Sequence, residues 1–207
     1  MNRYDCQEGP EAVTAARVSK QETNMIIREQ AEKVLGGTSP LARWDRYFLR
    51  LSLDNASMSK DPRTQVGSVI VGPDREVRSA GFNGFPRGIA DTPERLHDRE
   101  TKMKLIVHGE MNAILNAARV GISTKGCSLY LAATDETGLV WGGPPCTRCV
   151  VEIIQAGISE IVSFPVKAVP SRWHDDLAFA RTLLAEAAIT YREIAYFADF
   201  KAAIHPS

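Results

Sequence analysis

Val66-Gly67-Ser68-Val69-Ile70-Val71 is a β-branched run, closed by the turn signal Gly72-Pro73-Asp74 and answered by residues 76–82. β-Branched side chains suit a pleated, half-buried surface, so this stretch reads as an opening hairpin. Downstream the chain alternates. Helical spacing over residues 109–120 is followed by a strand at 127–132, a helix at 146–156, a strand at 160–164, a helix at 174–187 and a strand at 189–194. A hairpin followed by alternating helices and strands predicts a three-layer α/β/α domain, with a mixed five-stranded sheet covered by helices on both faces.

Upstream of the hairpin, Ser39-Pro40 reads as an N-cap with proline at the first helical position, opening a helix through Trp44, Phe48, Leu49, Leu51 and Leu53. Further back, Ile27, Ala31, Val34 and Leu35 recur at helical spacing before the stop Gly36-Gly37. The expected organisation is an N-terminal extension with an accessory helix over residues 1–38, a domain over 39–196 and a tail over 197–207. Residues 83–88 read as a glycine-rich loop and 91–104 as a charged connection.

The 207 residues carry 25 basic and 25 acidic side chains, so no global charge calls for a nucleic acid or an acidic membrane. No apolar run is long enough to span a bilayer and the N-terminus lacks a signal-peptide core, which leads us to expect a cytoplasmic protein. Of the four cysteines, Cys6, Cys127, Cys146 and Cys149, only the last two are close in sequence. A chain of this length does not need disulfide staples, so a reducing compartment fits.

Two distant pieces carry the chemistry: Val107-His108-Gly109-Glu110 and Pro144-Pro145-Cys146-Thr147-Arg148-Cys149. Each opens a predicted helix, with Pro145 at the first helical position of the second. One imidazole and two thiols can hold a zinc and leave its fourth position open, as catalytic sites do, and Glu110 remains free to move protons. Helix N-termini favour negative charge, which helps the thiols ionise. A Cys-x-x-Cys alone also suits a redox pair or half of a structural zinc site. A structural site has no need of the carboxylate beside its histidine, and the redox reading lacks its usual setting.

The ordered pair resembles the signature of the zinc-dependent cytidine and deoxycytidylate deaminases. Trp44-Asp45-Arg46-Tyr47-Phe48, Ser59-Lys60-Asp61-Pro62-Arg63-Thr64-Gln65-Val66-Gly67 and Gly81-Phe82-Asn83-Gly84-Phe85-Pro86-Arg87-Gly88 are similar to further motifs of that family, over roughly residues 43–194. The resemblance implies a cytidine deaminase-like fold, one catalytic Zn2+ on His108, Cys146 and Cys149, and Glu110 as proton carrier. The implied reaction is hydrolytic deamination of a cytosine nucleotide, foremost dCMP to dUMP. It also implies a homo-oligomer and control by dCTP or dTTP. Alternatives are another cytosine nucleotide, a nucleoside, an RNA base, or an inactive zinc-stabilised nucleotide-binding module.

Carried over residue by residue, the resemblance puts Asn83 on the substrate and Arg119 on its phosphate. Lys60, Arg63 and Arg87 are further candidates for phosphate or effector contacts. Asn83-Gly84 also reads as a tight turn, and Arg119 as an ordinary helix-surface cation. Two departures stand out. Gly109 replaces the family's usual alanine, and residues 134–143 intervene where relatives pass directly from strand to Pro-Cys. Trp141 in that insertion suits a pocket wall, a subunit contact or a satellite apolar contact.

Overall fold

A computed structural model of the chain describes residues 40–166 and 173–196. The accessory helix expected at 22–35, the extension over 1–38 and the tail over 197–207 lie outside the described residues. Strands β1 (Thr64–Val71), β2 (Val77–Phe82), β3 (Ser128–Asp135), β5 (Glu160–Ser163) and β6 (Thr190–Glu193) form one sheet in the order β2-β1-β3-β5-β6. β1 pairs antiparallel with both β2 and β3, while β3–β5 and β5–β6 are parallel. The five expected strands are therefore present in a mixed sheet.

A sixth strand, β4 (Val140–Trp141), was not expected. It pairs antiparallel with β3 at Ala133 and Thr134, on the edge that β5 leaves after Leu131. Most of the insertion at 134–143 thus forms a hairpin, paired from Ala133 to Trp141. Asp135 Oδ1 fixes its turn by accepting from Thr137 N at 2.9 Å and Leu139 N at 3.0 Å.

The side-chain alternation of β3 divides the core. Leu129 and Leu131 face one layer with Ile70, Cys149, Val150, Ile153 and Ile161, whereas Tyr130 and Ala132 face the other with Phe48, Leu49, Val69 and Phe164. Among the described residues, helix α1 (Pro40–Ala56) is the helix that covers the second face. Helices α4 (Gly109–Arg119), α5 (Thr147–Gln155) and α6 (His174–Glu186) supply the first.

The expected charged connection is ordered as two short helices, α2 (Pro93–His97) and α3 (Arg99–Leu105). Thr92 caps the first by accepting from Arg95 N, and Asp98 caps the second by accepting from Thr101 N. Those caps satisfy amides that no apolar face would otherwise organise.

Candidate metal and catalytic centre

Close backbone approach sets α4 on the sheet. A Cβ on Gly81 would lie 2.3 Å from Ala113 N and 2.6 Å from Gly109 O, so only glycine in β2 admits the first turn of α4. A Cβ on Gly109 would lie 2.8 Å from Val66 O. The glycine that departs from the family pattern therefore brings the helix N-terminus against β1. Side chains complete the attachment: Asn112 Nδ2 donates to Phe82 O at 2.7 Å, Asn116 Nδ2 to Ala80 O at 2.8 Å and Ser79 Oγ to Ala113 O at 2.6 Å.

His108 is the N-cap of α4 and Cys146 the N-cap of α5, both extended, with ψ of 159° and 157°. Helix α5 therefore begins at Thr147, and Pro145 lies before the cap instead of at the first helical position. Neither side chain makes a capping hydrogen bond, and the imidazole and the thiol turn towards each other. Val107 exchanges two backbone hydrogen bonds with Gly84, at 2.9 and 3.0 Å, and so fixes the segment before His108. Asp176 of α6 fixes α5: its carboxylate accepts from Thr147 N at 3.1 Å and its carbonyl from Thr147 Oγ1 at 3.0 Å.

The result is a triangle of donors. His108 Nδ1 lies 3.5 Å from Cys146 Sγ and 3.3 Å from Cys149 Sγ, and all three ligand atoms fall within 4.8 Å of one another. Zinc–sulfur and zinc–nitrogen bonds at tetrahedral angles give a nitrogen–sulfur separation of roughly 3.6 Å, close to both values. Glu110, two residues beyond the histidine, is 4% exposed, and its Oε2 has no hydrogen-bond partner among the described residues. A divalent cation fits this donor set by chemistry and by spacing.

Protonation agrees with that fit. The hydrogen bond from Cys149, with the imidazole beside it, holds the Cys146 thiol well below the usual range. The same bond and burial push the Cys149 thiol up. His108, bonded to Cys146, is raised to about 9. Burial raises the Glu110 carboxyl, partly offset by the His108 charge. A cation held by these residues would displace protons from His108 and Cys149. Exposed Arg148 and half-buried Met111 line a gap of about 20 Å³ beside His108, room for roughly one water.

The remaining candidates are less gathered. Asn83 is buried and committed to β1: its Oδ1 accepts from Val66 N at 2.7 Å and its Nδ2 donates to Thr64 O at 2.8 Å. It is not in the left-handed region, so the tight-turn reading does not describe it. Arg119 is exposed at the last position of α4, nine residues beyond Glu110 and about 13 Å further along the axis. Lys60 pairs with Asp91 at 3.0 Å, and Arg87 with Asn116 at 2.6 Å. Arg63 is exposed, in the turn entering β1, and its side chain has no partner among the described residues. Trp141 is half-buried on β4.

Sequence reasoning missed Asp176 and the pair Lys102–Asp61. Lys102 Nζ lies 2.9 Å from Asp61 Oδ1, with side chains 12% and 4% exposed. The same oxygen accepts from Arg63 N and Thr64 N, tying α3 to the turn before β1. Partners 29 and 41 residues apart leave no local signal.

Comparison with known proteins agrees with this geometry. The family described as "Cytidine and deoxycytidylate deaminase zinc-binding region" matches residues 42–164. The deoxycytidylate deaminase of Homo sapiens is 35% identical over 157 residues, covering 72% of this chain and 79% of that protein. An uncharacterized deaminase of Aliivibrio fischeri is 33% identical over 150 residues, covering 72% and 92%. The structure of dCMP deaminase from the cyanophage S-TIM5 shares the fold, with a TM-score of 0.54 at 17% identity over 76% of this chain and all of that one. No helix among the described residues is long and apolar enough to cross a membrane. The sheet order, the helix-capped donor triangle and these matches lead to one assignment: the chain belongs to the cytidine and deoxycytidylate deaminase family, zinc-dependent enzymes of the cytidine deaminase-like fold.

Proposed function

We propose that this chain hydrolyses a cytosine nucleotide, dCMP, to dUMP and ammonia, with one catalytic zinc held by His108, Cys146 and Cys149. The observation that carries the reading is the buried, unpaired Oε2 of Glu110 beside three converging donors. When bound, the metal supplies the Lewis acidity that makes a water acidic enough to attack at neutral pH, from about 15.7 towards roughly 7. Glu110 accepts a proton as the water oxygen bonds to C4 and delivers it to N3; it then takes the proton of the new C4 hydroxyl and passes it to the exocyclic nitrogen, so that the C4–N bond breaks, ammonia leaves and the C4 carbonyl forms. Its burial suits this, because a carboxyl raised towards neutrality both takes and gives protons.

Asn83 holds the loop over β1 and keeps one amide hydrogen for the substrate. For the phosphate, placement favours Arg63 over Arg119. Arg63 has no side-chain partner among the described residues and lies on the turn leading to Val66, which touches Gly109, whereas Arg119 ends the far turn of the helix. The family resemblance read from the sequence further implies a homo-oligomer, control by dCTP or dTTP and a cytoplasmic setting, and these belong to the same proposal.

The test is ammonia release from dCMP and from deoxycytidine by zinc-loaded protein, with Arg63→Ala, Arg87→Ala and Arg119→Ala alongside. Loss of a guanidinium–phosphate contact lowers kcat/KM for dCMP about tenfold to a hundredfold and leaves deoxycytidine unchanged. A wild type that prefers the nucleoside overturns the nucleotide reading. Equal loss on both substrates removes that arginine from the phosphate.

A further inference from the structure

On the sheet face away from the donor triangle, α1 and the β1–β2 turn bound a groove of about 410 Å³ lined by Arg43, Trp44, Tyr47, Phe48, Arg75 and Val77. That size is in the range of small-ligand sites. The wall is aromatic and ordered by its own contacts. Trp44 stacks on Phe48 with centroids 5.6 Å apart, and Tyr47 meets both rings edge-on at 5.9 and 5.1 Å. The Arg75 guanidinium sits 5.3 Å from the Trp44 ring centroid.

Two further observations point to a ligand. Among the described residues, neither guanidinium makes a hydrogen bond or an ion pair, and two of the acids close to them in sequence are engaged elsewhere. Asp45 is held by Arg192 and Tyr130, and Glu76 by Arg78. The backbone of Arg75 is also left-handed, with φ of 67°, in a turn closed by Gly72 N to Glu76 O at 2.8 Å. Glycine adopts that conformation freely, whereas a long L side chain is strained there. What arginine adds at this position is its guanidinium in the groove, and strain of this kind persists where function uses the side chain.

We infer that the groove binds an organic phosphate of about mononucleotide size, with Arg43 and Arg75 on the phosphate and Tyr47 and Val77 against the apolar part. Guanidinium matches phosphate through paired hydrogen bonds, and its stacking on Trp44 fixes one partner in advance. The site is separate from the proposed reaction centre. Val66, beside Gly109, and Val71, before the turn, are about 16 Å apart along β1.

Calorimetric titration of the full chain with adenosine monophosphate, ribose 5-phosphate, pyrophosphate and adenosine tests this. The phosphorylated compounds bind, adenosine does not, and Arg43→Ala and Arg75→Gly each weaken binding at least tenfold. Arg75→Gly melts at or above the wild-type temperature, and the zinc content of both variants is unchanged. Tighter binding of the nucleotide than of ribose 5-phosphate assigns nucleotides as the class. Equal or weaker binding assigns smaller sugar phosphates. Absence of binding at millimolar concentration, or unchanged affinity in both variants, overturns the inference.

Discussion

Two buried carboxylates lie on opposite faces of the sheet, and their surroundings differ in kind. Asp45 on α1 is 2% exposed and fully engaged. It accepts from Tyr130 Oη at 2.9 Å and from both terminal nitrogens of Arg192 at 2.8 and 3.0 Å. Arg192 continues to Glu160 at 2.7 Å, and Glu160 to Ser128 Oγ at 2.7 Å, so one network joins α1, β3, β5 and β6. Glu110 is as deeply buried, yet one oxygen has no partner among the described residues and burial raises its carboxyl. An unpaired buried polar group costs about 1–3 kcal/mol. A satisfied carboxylate holds elements together, whereas one left open retains capacity for a substrate or a proton.

That contrast can be broken most sharply at Glu110. Glu110→Gln is expected to lower ammonia release by about 10²–10⁴-fold, while the melting temperature stays level or rises and the metal content is kept. A fall in stability without loss of turnover would make Glu110 the structural member of the two. Asp45→Ala is expected to do the reverse. Removing one partner of a buried ion pair costs about 3–5 kcal/mol in urea unfolding, with kcat of the folded fraction within a few-fold of wild type.

A smaller effect probes how closely the open carboxylate is placed. Gly109→Ala forces its Cβ against Val66 O, with an expected loss of about 1–3 kcal/mol and reduced turnover from the displaced helix turn. Unchanged melting and kinetics would show that the loop before α4 yields. The smallest effect concerns pH. Because His108 is raised to about 9 in the metal-free protein, zinc uptake below that pH displaces its proton. Affinity should therefore fall as pH drops, by about tenfold per unit for each proton displaced, measured by competition with a chromophoric chelator.

The four residues of the proposed centre were legible because their roles need particular side chains at fixed spacing beside helix starts. The frame around them was less so. Pro145 reads as the first residue of a helix, but the extended backbone of Cys146 moves the start to Thr147. Thr92-Pro93 and Asp98 carried the cap signals of two short helices, yet the charged stretch shows no apolar period to draw attention to them. β4 is two residues long and owes its existence to the edge that β5 leaves open on β3. The anchoring of α5 by Asp176 is purely tertiary.

The two motifs also bear on when the centre comes into being. His108 and Cys146 are 38 residues apart, and the strand β3 between them must add to β1 before the two caps can meet. In small zinc modules the ion drives folding from the start. Here the sheet and its hydrophobic layers can assemble first, so metal capture comes late in folding. Protein stripped of metal should keep its circular dichroism spectrum and regain activity on zinc addition, with no refolding step.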